Sequence, residues 1–141
     1  MLQRTWVPTL IRVVLGIIFL AHGISKFQMG LGNVEQWFSS IGLPGFMAYA
    51  AAIIEVAGGI LLIIGLLTRI VSAVFLIMMV VAIVTVKLSG GLLGTDGAAG
   101  YEVELSLFLL SSYLVVYGPA SISVDRLLFK KKKAFNDMVS H

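Results

Sequence analysis

One stretch constrains this chain more than any other. Residues 48–69, AYAAAIIEVAGGILLIIGLLTR, are apolar for the length of a membrane span apart from a single carboxylate, Glu55. An acid near the bilayer centre costs roughly 2.5–3.5 kcal/mol on insertion scales, so it faces a protein interior or water. At about 100° per residue, Ala51, Glu55, Gly58, Leu62 and Gly65 share one narrow helix face. Ala51, Gly58 and Gly65 recur every seven residues, which predicts a seam of small side chains where a second helix approaches closely. Glu55 is therefore expected in a helix contact and not in lipid.

The rest of the composition agrees with a membrane setting. Hydrophobic residues make up 59% of the 141, charged residues only 12%, and the mean hydropathy is +1.03. A water-soluble domain of this size cannot hide so much apolar surface, so the expected class is an all-α integral membrane protein. Four apolar segments, at about 6–26, 47–67, 70–87 and 102–118, each approach the ~20 residues that cross a bilayer. They predict a four-transmembrane-helix bundle over residues 1–128 and a basic tail over 129–141. Arg4 and the apolar run after it have the outline of a signal peptide. No small-x-small cleavage site follows Ala21, so this segment is expected to stay as a span.

Lysine and arginine counts set the orientation. Arg4, Arg69, Arg126 and Lys130 to Lys133 fall on one side, whereas only Lys26 and Lys87 fall on the other. Both termini are thus expected in the cytoplasm. The tetralysine run beside a span reads as a topology signal and an anionic-lipid contact, and nothing else in the chain suggests nucleic acid.

In the first outer loop, Asn33 with Gln36 three residues on looks like a capped helix start. Val34, Trp37, Phe38 and Ile41 then keep helical spacing, which predicts a short interfacial helix with Trp37 at headgroup depth. It is either a plain connector or a doorway over the bundle. Thr68 and Arg69 alone are expected to link the second and third spans, making them antiparallel neighbours. The glycine-rich loop 88–100 lacks both phosphate-binding patterns and reads as a flexible turn. After Gly118-Pro119, Ser123 or Asp125 is available to cap a short interfacial helix.

The chemistry-bearing residues gather at the outer end. His22 and Lys26 are one turn apart on one face of the first span, and Glu55 lies roughly 12 Å below the start of the second by helical rise. Glu102 and Glu104 begin the fourth span and diverge by about 200°, so only one is expected to face inward. Glu102 shares a side with Ser106 and Tyr113, which favours Glu102 inside and Glu104 at the rim. Lys87 is expected to snorkel to the headgroups. Arg12 is expected to be structural, pairing with Asp125 or reaching phosphate. The candidate catalytic set is His22, Lys26, Glu55 and Glu102.

Burial disfavours a charged carboxylate, a nearby cation opposes that, and a neutral histidine relays a proton. Such a site suits a quinone or another small apolar aromatic entering from lipid. There is no cysteine, so disulfides, thiolate metal sites and covalent haem attachment are excluded from this chain's own chemistry. With only His22 and His141, a two-histidine metal or haem site is not expected. Redox equivalents would have to come from a noncovalent cofactor or a partner protein.

These residues form a pattern. Leu15-Gly16, His22-Gly23 and Lys26 resemble the first-helix signature of the DoxX family, and Ile41-Gly42-Leu43-Pro44 resembles its loop signature. Glu55 through Gly58-Gly59 and Gly65 to Thr68-Arg69 is similar to the family core. Gly100-Tyr101-Glu102 and Gly118-Pro119 to Asp125 look like its closing elements. The resemblance spans about residues 10–128. It implies a four-helix protein of the bacterial plasma membrane, linked to quinone, catechol or thiosulfate metabolism and often labelled an oxidoreductase. By position it points to His22, Lys26, Glu55, Gly58, Gly59, Arg69 and Glu102. Two other readings stand beside it: a proton-coupled exporter of small aromatic compounds, and a non-catalytic structural subunit. A redox partner or a second copy of the chain fits either subunit reading.

Overall fold

A computed structural model describes residues 3–119 and 122–140, with side chains from Trp6 onward except that of Ala98. His141 and the Arg4 side chain, both used in the sequence reading, lie outside the described residues. The chain forms α1 (Gln3–Met29), α2 (Leu31–Ser40), α3 (Phe46–Ile64) and α4 (Thr68–Ala82). A π turn at Ile83–Lys87 and a 3-10 turn at Leu88–Gly90 extend α4. The two-residue strands β1 (Gly94–Thr95) and β2 (Ala98–Ala99) pair antiparallel before α5 (Glu102–Tyr117) and α6 (Val124–Val139).

Among the described residues, three helical stretches are long and apolar enough to cross a membrane: Trp6–Met29, Phe46–Ile64 and Thr68–Gly90. Their outward faces carry large apolar side chains such as Ile17, Ile53, Ile60 and Ile77, each about half exposed or more. That much apolar surface is stable only against acyl chains. The fourth expected span is α5, whose 16 residues rise about 24 Å and fall short of the ~30 Å hydrocarbon core.

Helix α1 packs chiefly on α3, and α4 chiefly on α5. The α1–α3 crossing is backbone against backbone. A methyl group on Gly16 would stand 2.8 Å from the Gly59 carbonyl oxygen, and one on Gly59 would stand 2.7 Å from the Gly16 oxygen. Gly58 faces the other way, where a methyl would meet Phe75 of α4 at 2.6 Å. Of the expected seam of Ala51, Gly58 and Gly65, Gly58 thus faces α4, α1 approaches through Gly59 outside the seam, and the last member does something else. Gly65 ends α3 in the left-handed conformation at φ 77°, which glycine adopts without a Cβ penalty. Between the two helix pairs Phe19 and Phe75 stack at 3.7 Å, with Leu15, Leu62 and Leu114 fully buried around them.

Several local expectations change. The α3–α4 turn is Gly65 to Leu67, while Thr68 and Arg69 already belong to α4. The start of α4 is capped from far along the chain: Leu67 N–H and Thr68 N–H donate to the two carboxylate oxygens of Asp125 at 2.7 and 2.9 Å. Arg12 is 3% exposed, close enough to Asp125 for a favourable charge interaction. Helix α2 starts after Gly30 at φ 86°, so Asn33 sits inside the first turn and donates to the Met29 carbonyl at 2.8 Å instead of capping. The glycine-rich loop is a small hairpin, closed on α5 by Tyr101 N–H to Gly91 O and Glu102 N–H to Leu92 O. Helix α6 runs unbroken from Val124 through Val139.

Candidate active site

At the end of the bundle holding the C-terminus of α1 and the N-terminus of α3, a cavity of about 330 Å³ opens between α1, α2, α3, α4 and α5. Its walls are mostly apolar, from Phe19, Trp37, Phe38, Met47 and Met78. Into it come His22, Lys26, Glu55, Lys87 and Glu104.

Glu55 is nine residues into α3, about 13 Å from the helix start by rise. It is buried, and Lys26 Nζ donates to its Oε2 at 2.7 Å. The side chains are 17% and 7% exposed for lysine and glutamate, so little water competes with the contact. The pair is possible because Gly23, one turn before Lys26, lets α1 rest on the Glu55–Val56 segment. A methyl there would be 2.9 Å from Val56 N and 3.1 Å from Glu55 Cβ.

His22 lines the same cavity without bonding Glu55. Its Nδ1 lies 2.8 Å from the Ile18 carbonyl oxygen, an acceptor, so Nδ1 carries the proton. In the neutral ring Nε2 is then the nitrogen left for a ligand. Helix α2 contributes Trp37 and Phe38, and Tyr49 O–H donating to Glu35 Oε2 at 3.0 Å ties it to α3.

The opposite wall reverses one expectation. Glu102 is exposed, beside Gly100 of the hairpin, and is not among the cavity residues. Glu104 lines the cavity, and Lys87 Nζ approaches its Oε1 at 3.5 Å. Helical phase explains this: Glu104 keeps i, i+3, i+7 and i+10 spacing with Leu107, Ser111 and Leu114, the buried residues of α5. Glu102 lies about 140° from Leu107. The buried Leu107–Ser111–Leu114 stripe sets the inward face, and Ser106 and Tyr113 were the wrong guides. Lys87 is likewise paired instead of reaching headgroups alone. The π turn at Ile83–Lys87 brings Thr85, Val86 and Lys87 to the wall, and nothing in its composition marks it. Glu104 Oε2 is buried without a hydrogen-bond partner, an acceptor available to whatever enters.

Two ammonium–carboxylate pairs on facing walls of an apolar cavity can bind a small molecule with polar ends and exchange protons with it. Among the described residues no cluster of three or more His, Cys, Asp or Glu could hold a metal ion.

A bundle of apolar helices around such a cavity defines a membrane helical protein. Comparison with known proteins says which kind. The DoxX family model matches residues 7–88. A Bacillus subtilis protein named "Putative oxidoreductase CatD" is 45% identical over 127 residues, covering 90% of each chain. The Mycobacterium tuberculosis "Uncharacterized membrane protein Rv3486" is 38% identical over 88% of this chain and 82% of its own. The Escherichia coli "Inner membrane protein YqjF" is 31% identical over 85% and 90%. The chain belongs to the DoxX family. No solved structure matches it.

Proposed function

We propose that this protein is a membrane oxidoreductase, or the membrane subunit of one, acting on a quinone- or catechol-like molecule in the cavity between α1 and α5. The observation that carries the reading is the Lys26–Glu55 pair at 2.7 Å, buried at the wall of an apolar cavity large enough for one aromatic ring system. The similarity to a protein named as an oxidoreductase supports it.

In this reading α5 is the fourth crossing, with the bilayer thinned or the helix end hydrated to meet its shorter length. Both termini lie in the cytoplasm, and the cavity opens in the outer leaflet of a bacterial plasma membrane under an interfacial α2. Lys26 and Lys87 are then the outer cations, and each is held by a carboxylate. A ring oxygen of the quinone accepts from the Lys26 ammonium, and the quinol hydroxyl formed there donates to His22 Nε2. Reducing a quinone to a quinol takes two electrons and two protons. The Lys26–Glu55 pair holds one transferable proton and the Lys87–Glu104 pair across the cavity holds the other, each ammonium giving its proton to a ring oxygen while its carboxylate stays ionised. Electrons come from a redox partner or a noncovalent cofactor, since the chain has no thiols. Glu102 has no part in this scheme.

Mass spectrometry and absorption spectroscopy of the protein purified in lipid discs should reveal a copurifying quinone. Quinone-dependent turnover with a supplied donor should be lost in Glu55→Gln. Uptake of an aromatic compound driven by a pH gradient, with no change in its oxidation state, would replace this reading with a transport one.

A further inference from the structure

Helix α6 is bolted to the bundle at one end, and beyond its first turn its residues are exposed. Ser123 Oγ accepts the Arg126 N–H at 3.2 Å, capping the helix. Asp125 N–H donates to the Gly65 carbonyl at 2.9 Å, and its carboxylate caps α4. The first turn is therefore fixed at the α3–α4 turn, at the opposite end of the bundle from the cavity. From Arg126 to Ser140 every residue is exposed.

Most of those exposed residues are sorted by face, with Phe129 the apolar exception on the polar side. At about 100° per residue, Val124, Leu127, Leu128, Phe135 and Met138 fall in one stripe, with Val139 at its edge. Arg126, Lys130, Lys132 and Lys133 lie outside it, and after the first turn they are opposed by one acid, Asp137. Lys131 alone interrupts the stripe, and its long stem can lie along it while the ammonium reaches outward. Leu127, Phe135 and Met138 are 68%, 60% and 72% exposed, so no residue described here covers the stripe.

We propose that α6 is a docking surface for an anionic phospholipid bilayer, lying in the plane of the membrane with its stripe among the upper acyl chains. The charge fits: five cations from Arg126 to Lys133 suit negatively charged headgroups. The location fits as well, because the helix starts at the end of a bundle that is itself embedded in lipid. A tether of a single turn holds it next to that surface at high effective concentration. A soluble acidic partner would use the lysines but leave the apolar stripe in water.

The absence of cysteine makes the test direct. Nitroxide labels on full-length Leu128→Cys, Met138→Cys and Asn136→Cys are compared in discs of phosphatidylcholine and in discs rich in phosphatidylglycerol. In the anionic discs the labels at 128 and 138 should gain oxygen contact several-fold over a water-soluble nickel chelate, whereas the label at 136 should not. Replacing Lys130 to Lys133 with glutamine should erase the gain, and Lys131→Leu should enlarge it. Equal chelate access at all three positions in both discs would overturn the proposal. So would spin–spin broadening at position 128, which would mean that a second copy covers the stripe.

Discussion

Lys26 Nζ lies 2.7 Å from Glu55 Oε2, across the line where α1 and α3 touch through glycine. The contact joins packing to chemistry: the glycines set the distance, and the apolar walls keep water from weakening it.

Breaking a buried pair by removing one partner costs about 3–5 kcal/mol, while replacing both with apolar residues is often neutral. Lys26→Met and Glu55→Met should each lower stability toward that range, and the double variant should recover most of the loss. Chemical unfolding in detergent, arranged as a double-mutant cycle, reads this directly. Additive losses would mean that the two side chains do not act as a pair.

Gly59→Ala should cost about 1–3 kcal/mol, as overpacking does, because backbone atoms stand where the methyl would go. Gly32→Ala is the control. Nothing lies within 4 Å of its methyl, and alanine in helix α2 should gain about 0.5–1 kcal/mol over glycine. Thermal unfolding of the two variants should move in opposite directions.

Asp125→Ala removes both acceptors from the start of α4 and leaves the Arg12 guanidinium with less compensating charge. A lost helix cap alone costs about 0.5–2 kcal/mol, so the total should reach or exceed the top of that range. Asp125→Asn keeps one oxygen and should lose less. Hydrogen exchange at Leu67 and Thr68 should speed up in the same order.

Glu104→Gln should weaken binding of a quinone probe, and Glu102→Gln should leave it unchanged. Competition binding in lipid discs separates the two carboxylates that sequence spacing ranked the other way round.

The apolar stretches at the three long spans and the inward placing of Glu55 were legible, because helical phase and the cost of a charge in lipid both act locally, whereas the choice of Lys26 over His22 as its partner was not. The choice between Glu102 and Glu104 was not, because it needed the buried stripe of α5 and that stripe is defined by contacts with α4. Asn33 has the residue type of a cap, yet Gly30 starts α2 earlier. The π turn that aims Lys87 is a shift in backbone register, and no residue type encodes it. Asp125 was recognised as a possible cap for its own helix, but its service to α4 depends on residues more than fifty positions away.

The central claim is that the cavity beside Lys26 and Glu55 binds a quinone-like ring. Trp37 lines that cavity, whereas Trp6 sits near the far end of α1. With Trp6→Phe as background, a short-chain benzoquinone should quench Trp37 fluorescence saturably, and adding Glu55→Gln or Lys26→Met should weaken that binding at least tenfold. Linear, non-saturating quenching that is the same in all three proteins would contradict the claim.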